Sequence, residues 1–359
     1  MSHPVTPFAL VTLAPVPLLG FGGFEGGAWI WAALLYTSVL AFTLDQILAM
    51  ASREGAPGAE FPAADALSAL LGIAHLALVP LGAAAVAGAT GLGTAERVAA
   101  FFAFGLFFGQ ISNSNAHELI HRSRRSLFEL GKWVYISMLY GHHTTAHRLL
   151  HHAHVATPRD PNFPPRGESF YRNFRRGWVG SFVQGWRVER ARLSRRNEGR
   201  QGTGARLNPY VTYVGGGLAF LLVMWLWLGW AGVAAYVGLS FYAQSQLAMV
   251  DYLQHYGLAR RQLPDGGYEP QGPQHSWNAP HWFSSHMMVN ASRHSDHHAN
   301  PARPYPALRL TDDMPMLPYS LPAMGIIALI PPLWFRMMDK RVARVQADQP
   351  QSHALQPAR

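Results

Sequence analysis

Long uncharged stretches alternate with strongly polar blocks along this chain of 359 residues. Glu25 is the only formal charge before Asp45. Residues 66–95, 98–116 and 207–250 contain no Asp, Glu, Lys or Arg. About 20 consecutive apolar residues are enough for a helix to cross the hydrocarbon core of a bilayer. We therefore predict about six transmembrane helices, at residues 6–24, 27–45, 66–90, 95–116, 208–229 and 231–250.

These spans predict an all-α integral membrane protein whose polar regions cap one end of the helices. The predicted order is four transmembrane helices in 1–116, a basic block in 117–206, a helical hairpin in 207–250, a second polar block in 251–335 and a polar tail in 336–359.

The end of the second block and the tail have their own expected structures. Residues 314–335 are uncharged but contain five prolines, which favour a segment at the membrane surface because proline is costly inside a helix. The tail from Arg341 onward is polar, and we expect it to be disordered.

The basic residues are distributed as in a membrane protein. The net charge is +9, yet only Arg53 and Arg97 precede residue 117. Lys and Arg gather in cytoplasmic segments, so both polar blocks are predicted to be cytoplasmic, in a bacterial-type inner membrane. No platform of aromatic and basic residues suggests binding of nucleic acid.

The chain has no cysteine, and it has 18 histidines against 20 acidic residues. The absence of cysteine excludes disulfides, iron–sulfur clusters and haem held by a thiolate. Any metal site in this chain must therefore use His, Asp or Glu as ligands.

Three histidine clusters stand at helical spacing. His117 and His121 follow the fourth predicted span, and in a continuing helix they share one face. The other two clusters each place an adjacent pair about one turn after another histidine; they are His147 with His151 and His152, and His294 with His297 and His298. Eight imidazoles are too many for one ion and suit two. Without metal they would repel one another as they protonate.

Other histidines lie near these clusters. His255, just after the last span, is a ninth candidate ligand. Roles in loops or in orienting ligands are commoner than metal contact for the remaining neighbours, which are His142, His143, His154, His275, His281 and His286.

The motifs together resemble the alkane 1-monooxygenase family, within the superfamily of membrane desaturases and hydroxylases that share these histidine boxes. The sequence from His255 to Leu258, the sequence from Arg293 to His298 and the stretch from Val155 to Pro161 carry the resemblance. Ala146, Asp251 and Gln254 depart from that family's usual Glu, Asn and Glu.

The resemblance implies a non-haem di-iron centre that uses O2. The implied iron ligands are His117, His121, His147, His151, His152, His255, His294, His297 and His298. Glu118, Asp251 and Asp296 are expected to orient these ligands.

The implied reaction is hydroxylation of the terminal methyl of medium- or long-chain alkanes to primary alcohols. A separate electron donor is required because the chain has no flavin or dinucleotide motif, and the resemblance implies rubredoxin with its reductase. The arginines between Arg166 and Arg206 could attract an acidic rubredoxin or contact anionic lipid.

Several alternatives remain at this stage. A fatty-acyl desaturase or hydroxylase, or a xylene-type monooxygenase, would use the same metal site. The sequence from His117 to His121 is also typical of zinc proteases, with Glu118 as general base. A metal carrier would place its ligands near the middle of the membrane rather than at the ends of spans.

Overall fold

The computed structural model describes residues 4–48, 61–197 and 207–348, and helices dominate them. The helices are α1 (Thr6–Glu25), α2 (Gly27–Ile47), α3 (Pro62–Ala87), α4 (residues 94–120), α5 (Arg125–Ser137), α6 (residues 143–154), α7 (Phe170–Asn197), α8 (Tyr210–His255), α9 (Trp282–Met287), α10 (His294–Ala299), α11 (Leu321–Ala328) and α12 (Pro331–Asp348). Two 3₁₀ turns lie at Pro273–His275 and Tyr305–Ala307. Within the described residues, strand-like pairing is limited to two isolated bridges, so the predicted all-α class is confirmed.

Four helices, α1, α2, α3 and α8, are long and apolar enough to cross a membrane. Helix α8 has 46 residues, about 69 Å if it were straight. It reverses direction at Gly229, where φ is 63° and ψ is −158°. The rings of Phe220 and Tyr236 therefore lie 6.3 Å apart across the turn. Helix α8 is a hairpin of two antiparallel arms, with its turn where the sequence analysis placed it.

Helix α4 covers the predicted fourth span and continues to Ile120, so the first histidine cluster stands on it. Its middle, Phe107–Ser112, is π-helical. The side chain of Gln246 donates to the Gly105 carbonyl at 2.9 Å, and that of Asn113 donates to the Gly109 carbonyl at 3.1 Å. A Cβ on Gly109 would stand 2.2 Å from the Gln246 side chain. Glycine at this position therefore allows α8 to approach the π-helical turn.

The N-terminal spans hold the C-terminal polar block in place. Asp45, buried near the end of α2, accepts hydrogen bonds from the backbone N–H groups of Phe283 and Ser284, both at 3.0 Å. The Phe8 ring of α1 lies 4.5 Å from the His286 ring. These contacts bring residues more than 230 positions apart to the same end of the bundle.

The prediction of a disordered tail from Arg341 is wrong as far as Asp348. Helix α12 continues through this region because Trp334, Met338 and Val342 repeat every four residues and form one buried face. This face packs on Tyr252 of α8 and on Tyr256, which follows the end of α8. Residues 349–359 lie outside the described part of the chain. The Pro-rich segment contributes α11, whose 8 residues are too few to cross a bilayer.

Candidate metal centre

The structure gathers all nine predicted histidine ligands into two adjacent groups. In each group one nitrogen per ring lies within 4.8 Å of the others. The five-histidine group consists of His117, His121, His147, His152 and His297. The four-histidine group consists of His151, His255, His294 and His298.

Helix geometry explains how the first and last clusters are divided. His117 and His121 are one α-helical turn apart and enter the same group. His294 and His298 have the same spacing on α10, and their Nε2 atoms lie 3.0 Å apart in the four-histidine group. His297 precedes His298 by one residue and therefore points about 100° away, into the other group. The adjacent histidines of α10 thus join the two groups.

The middle cluster follows a different helical period. Residues Ala146–His151 are π-helical, so the backbone pairs residues five apart rather than four. His147 accordingly meets His152, with their Nε2 atoms 2.9 Å apart. His151 turns towards the four-histidine group, where its Nε2 lies 3.3 Å from that of His298. An α-helix would instead have put His147 and His151 on one face.

The Nε2 atoms converge within each group. Those of His117 and His147 are 2.7 Å apart, and those of His255 and His294 are 2.9 Å apart. These distances are slightly shorter than the about 3 to 4 Å that separates nitrogen ligands placed about 2.1 Å from one ion, so the rings would move slightly apart to hold one. Each group therefore presents converging nitrogens that could hold a metal ion.

Electrostatics favour neutral imidazoles in the five-histidine group. Burial, reinforced by neighbouring imidazoles, lowers the pKa of His147, His152 and His297 well below the usual value. A neutral ring offers the lone pair that a metal requires. The burial that would make protonation costly therefore prepares these side chains to bind a cation.

Two carboxylates adjoin the four-histidine group. Nδ1 of His151 lies 2.7 Å from Asp160 Oδ2, so its Nε2 remains directed at the group. Asp251 Oδ1 lies 3.6 Å from Nε2 of His151 and 3.7 Å from Nε2 of His255. Burial lowers the pKa of His151, but Asp251 and Asp160 outweigh it and raise that pKa to about 9. Metal binding at His151 must therefore displace a proton.

Asp160 was not singled out from the sequence. The sequence feature that could have identified Asp160 is its position in the stretch from Val155 to Pro161, which carries part of the family resemblance. The turn that follows α6 brings its buried carboxylate back beneath His151. Carboxylates that hold a ligating imidazole in this way fix its tautomer and orientation.

We predict that Asp160→Asn weakens metal binding about 10- to 100-fold without unfolding the protein. The amide can still accept the 3.0 Å hydrogen bond from the Asn162 N–H, but its NH2 cannot accept from His151 Nδ1. Competition with a chelator, followed by metal analysis, measures the change. Unaltered metal retention at every chelator concentration would contradict this role for Asp160.

Glu118 and Asp296, expected to orient ligands, anchor loops around the site. Glu118 pairs with Arg122 and accepts from the Tyr305 N–H at 3.1 Å. Asp296 pairs with Arg303 and accepts from the Arg309 N–H at 2.9 Å. A zinc-protease base must face metal-bound water. The engagement of Glu118 with Arg122 and Tyr305 argues against that alternative.

The six other neighbouring histidines lie outside both groups. His143 stacks on His147 with ring centroids 5.2 Å apart, and it is the neighbour nearest to the five-histidine group. His275 bonds Glu269 at 3.2 Å, and its carbonyl lies 3.3 Å from His255 Nδ1. The other four histidines either make structural contacts or are partly exposed; they are His142, His154, His281 and His286.

An apolar cavity of about 550 Å³ lies between α2, α4, α8 and α11. Its rim includes Val39, Phe42 and Ile326, whose side chains are exposed on the outer surface of the helices. The rim therefore opens on the outer surface of helices that include α2 and α8, which are long and apolar enough to cross a membrane.

This cavity adjoins a space beside the histidines. A smaller space of about 50 Å³ is lined by His117, His147 and His294. Both spaces share Gly109, Val250 and Met288. These three residues, which we call the neck, separate the apolar cavity from the metal-ligand groups.

The sequence of this chain is similar to those of known monooxygenases. Alkane 1-monooxygenase 1 of Pseudomonas aeruginosa is 35% identical over 246 residues, covering 68% of this chain and 64% of the relative. Alkane 1-monooxygenase of Acinetobacter baylyi is 36% identical over 232 residues, covering 65% of this chain and 56% of the relative. The xylene/toluene monooxygenase hydroxylase component XylM of Pseudomonas putida is 28% identical over 235 residues, covering 63% and 58%.

The matched part of the chain spans 56% to 64% of the length of these alkane 1-monooxygenases. Residues 93–327, which include both histidine groups and the neck, match the fatty acid desaturase family. The predicted relationship to the superfamily that carries these histidine boxes is confirmed, and the chain belongs to the fatty acid desaturase family.

Proposed function

We propose that this chain is a multi-pass membrane monooxygenase that hydroxylates the terminal methyl of medium- or long-chain alkanes. The observation that carries the proposal is that the apolar cavity adjoins the space lined by His117, His147 and His294, with the neck as their shared wall. A site for a polar substrate would need polar groups along its entrance. The cavity instead offers hydrocarbon side chains on a surface that faces lipid, where alkanes dissolve.

The nine histidines are proposed to hold two iron ions, one in each group. Iron bound there would supply reduction of O2 with two electrons and two protons, so that one oxygen atom enters the C–H bond and the other leaves as water. The side chains of the chain orient the substrate and exclude water. The neck would admit an unbranched chain end first and present its methyl to the nearby histidines.

The electrons are proposed to come from a rubredoxin-type donor and its reductase. Support comes from the composition of the chain, because it contains no cysteine for an iron–sulfur cluster and no dinucleotide motif. The similarity to alkane 1-monooxygenases favours such a donor, and the basic blocks favour placing the histidine groups on the cytoplasmic side of an inner membrane.

Product analysis tests the proposal directly. Protein in lipid nanodiscs, supplied with iron, O2, rubredoxin and reductase, is expected to convert octane or hexadecane to the 1-alcohol. Oxygen-18 gas should label the new hydroxyl. A double bond in an acyl chain would identify a desaturase, a benzyl alcohol from xylene alone would identify the aromatic branch, and metal exchange without oxygen consumption would identify a carrier.

A further inference from the structure

Helix α7 carries a stripe of large apolar side chains that the rest of the described residues cover only in part. The stripe consists of Trp178, Val179, Phe182, Val183 and Trp186, which are between 37% and 51% exposed. The spacing of these residues places them on one side of the helix. A contiguous exposed surface of this kind marks contact with a partner or a membrane.

Another side of α7, which includes Ser181, Gly185 and Glu189, is covered by the rest of the protein. Thr145 donates a hydrogen bond to Glu189 at 3.0 Å, and a Cβ on Gly185 would lie 3.7 Å from Ala146. The buried side therefore packs on α6, which carries three of the histidines. Among the described residues, the stripe and its flanks are left exposed for an external contact.

Contacts with α8 define the direction of α7. Trp178 Nε1 donates to Gln244 at 2.8 Å on the second arm of the hairpin. Near the other end of the stripe, Tyr210 of the first arm donates its hydroxyl to the Phe182 carbonyl at 2.9 Å, and its ring lies 5.4 Å from that of Trp186. One helix thus contacts both antiparallel arms.

The contact points on the two arms lie at similar distances from the hairpin turn. Gln244 lies about 22 Å and Tyr210 about 28 Å along the arms from Gly229, at 1.5 Å per residue. Trp178 and Trp186 are about 12 Å apart along α7, yet their contact points on the two arms differ by only about 6 Å in level. Helix α7 therefore crosses the arms instead of running beside one of them. If the arms cross the bilayer, α7 lies closer to its plane than to its normal.

The arms expose apolar residues at the same level. Phe241 is 52% exposed next to α7, and its ring lies 5.7 Å from Phe174. On the first arm Val211 is 56% exposed. The stripe is therefore continuous with the lipid-facing surface of α8, which favours acyl chains over an acidic protein as the occupant.

Arginines flank this stripe. Arg187 and Arg190 are exposed, and they lie about 110° and about 50° around the helix from the centre of the stripe, at 3.6 residues per turn. An apolar face with aromatic residues and an adjoining basic edge is typical of a helix that lies in the membrane interface. Guanidinium groups at that edge would meet anionic headgroups.

We propose that α7 is an interfacial helix that lies in the leaflet at the histidine end of the bundle. Its stripe enters the acyl-chain region, and Arg187 and Arg190 contact the phosphates of anionic lipids. Because another side of α7 packs on α6, contact of the stripe with the bilayer would help to hold α7 against the segment that carries His147, His151 and His152. The proposal does not depend on the reaction that the site performs.

The absence of cysteine from the chain allows a direct test with single spin labels. Phe182→Cys and Val183→Cys place a nitroxide on the stripe, and Arg187→Cys is the matched control on the flank. The proteins are placed in nanodiscs of phosphatidylcholine and phosphatidylglycerol. Power saturation then compares collisions with O2, which is concentrated in lipid, and with a water-soluble nickel chelate.

Labels at 182 and 183 are expected to collide mainly with O2, whereas the label at 187 should collide mainly with nickel. Equal access of nickel to all three labels would overturn the proposal. Immobilisation of the 182 label only when rubredoxin is added would also overturn it, by assigning the stripe to the electron donor. Unchanged iron content in each labelled protein verifies that the fold is preserved.

The arginines are tested separately in otherwise unaltered protein. The double variant R187E/R190E should lose its enrichment of spin-labelled phosphatidylglycerol over spin-labelled phosphatidylcholine at the protein surface. The variant R260E/R261E, altered in the loop after α8, is the charge-matched control and should keep the enrichment. Equal enrichment in both double variants would contradict the headgroup contact.

Discussion

Replacing His294 by alanine is expected to lower bound iron from about two ions to about one per chain and to reduce hydroxylation by more than about 100-fold. His294 belongs to the four-histidine group, and its Nε2 lies 2.9 Å from that of His255 and 3.0 Å from that of His298. Its loss leaves three imidazoles in that group but does not alter the five-histidine group. Metal analysis and Mössbauer spectroscopy of iron-57-loaded protein would report the two groups separately.

The same experiment in the other group uses His121→Ala, which should remove the other ion and leave the four-histidine signal. The matched control is His154→Ala, because His154 stands on α6 beside the ligands but outside both groups. It should retain about two ions, one for each group, and its activity. Retention of both ions in His294→Ala would show that the two groups are not separate metal sites.

The spacing of the histidines predicted which residues come together, but not how they are divided between the five-histidine and four-histidine groups. For His117 with His121, and for His294 with His298, the α-helical period is sufficient because the backbone is α-helical there. For His147 the π-helical turn changes the partner from His151 to His152. The residue types from Ala146 to His151 do not predict a π-helix. Tertiary contacts, and not the local sequence, hold the backbone in that conformation.

Tertiary contacts also explain the other differences. Asp160 reaches His151 only because the turn after α6 folds back, and carboxylates in loops have no periodicity that would reveal such a contact. The helical end of the chain was missed because its charged residues hid the spacing of Trp334, Met338 and Val342. Five of the six predicted spans, in contrast, fall on helices long and apolar enough to cross a membrane, since the bilayer requires both length and absence of charge.

Narrowing the neck is expected to separate alkane oxidation from metal binding. Val250→Phe adds a ring between the apolar cavity and the space beside His117 and His294, so a long alkane should no longer reach the site. Because displacement of a reacting group by about 1 Å can cost about 100-fold, we expect a loss in kcat/KM for hexadecane of at least that size. Iron content should equal that of the unaltered protein.

Two variants in the same cavity make this result specific to the neck. Val250→Ala widens the passage and should extend oxidation to alkanes with a branched end, while unbranched substrates remain good. Ile326→Phe adds the same ring at the exposed rim, where the chain can pass beside it, and should change KM more than kcat. If Val250→Phe oxidised hexadecane as fast as the unaltered protein, the alkane would have to reach the histidines by another route. In the proposed function an alkane reaches both histidine groups past the neck, so the width of the neck would decide which hydrocarbon ends reach the ligands.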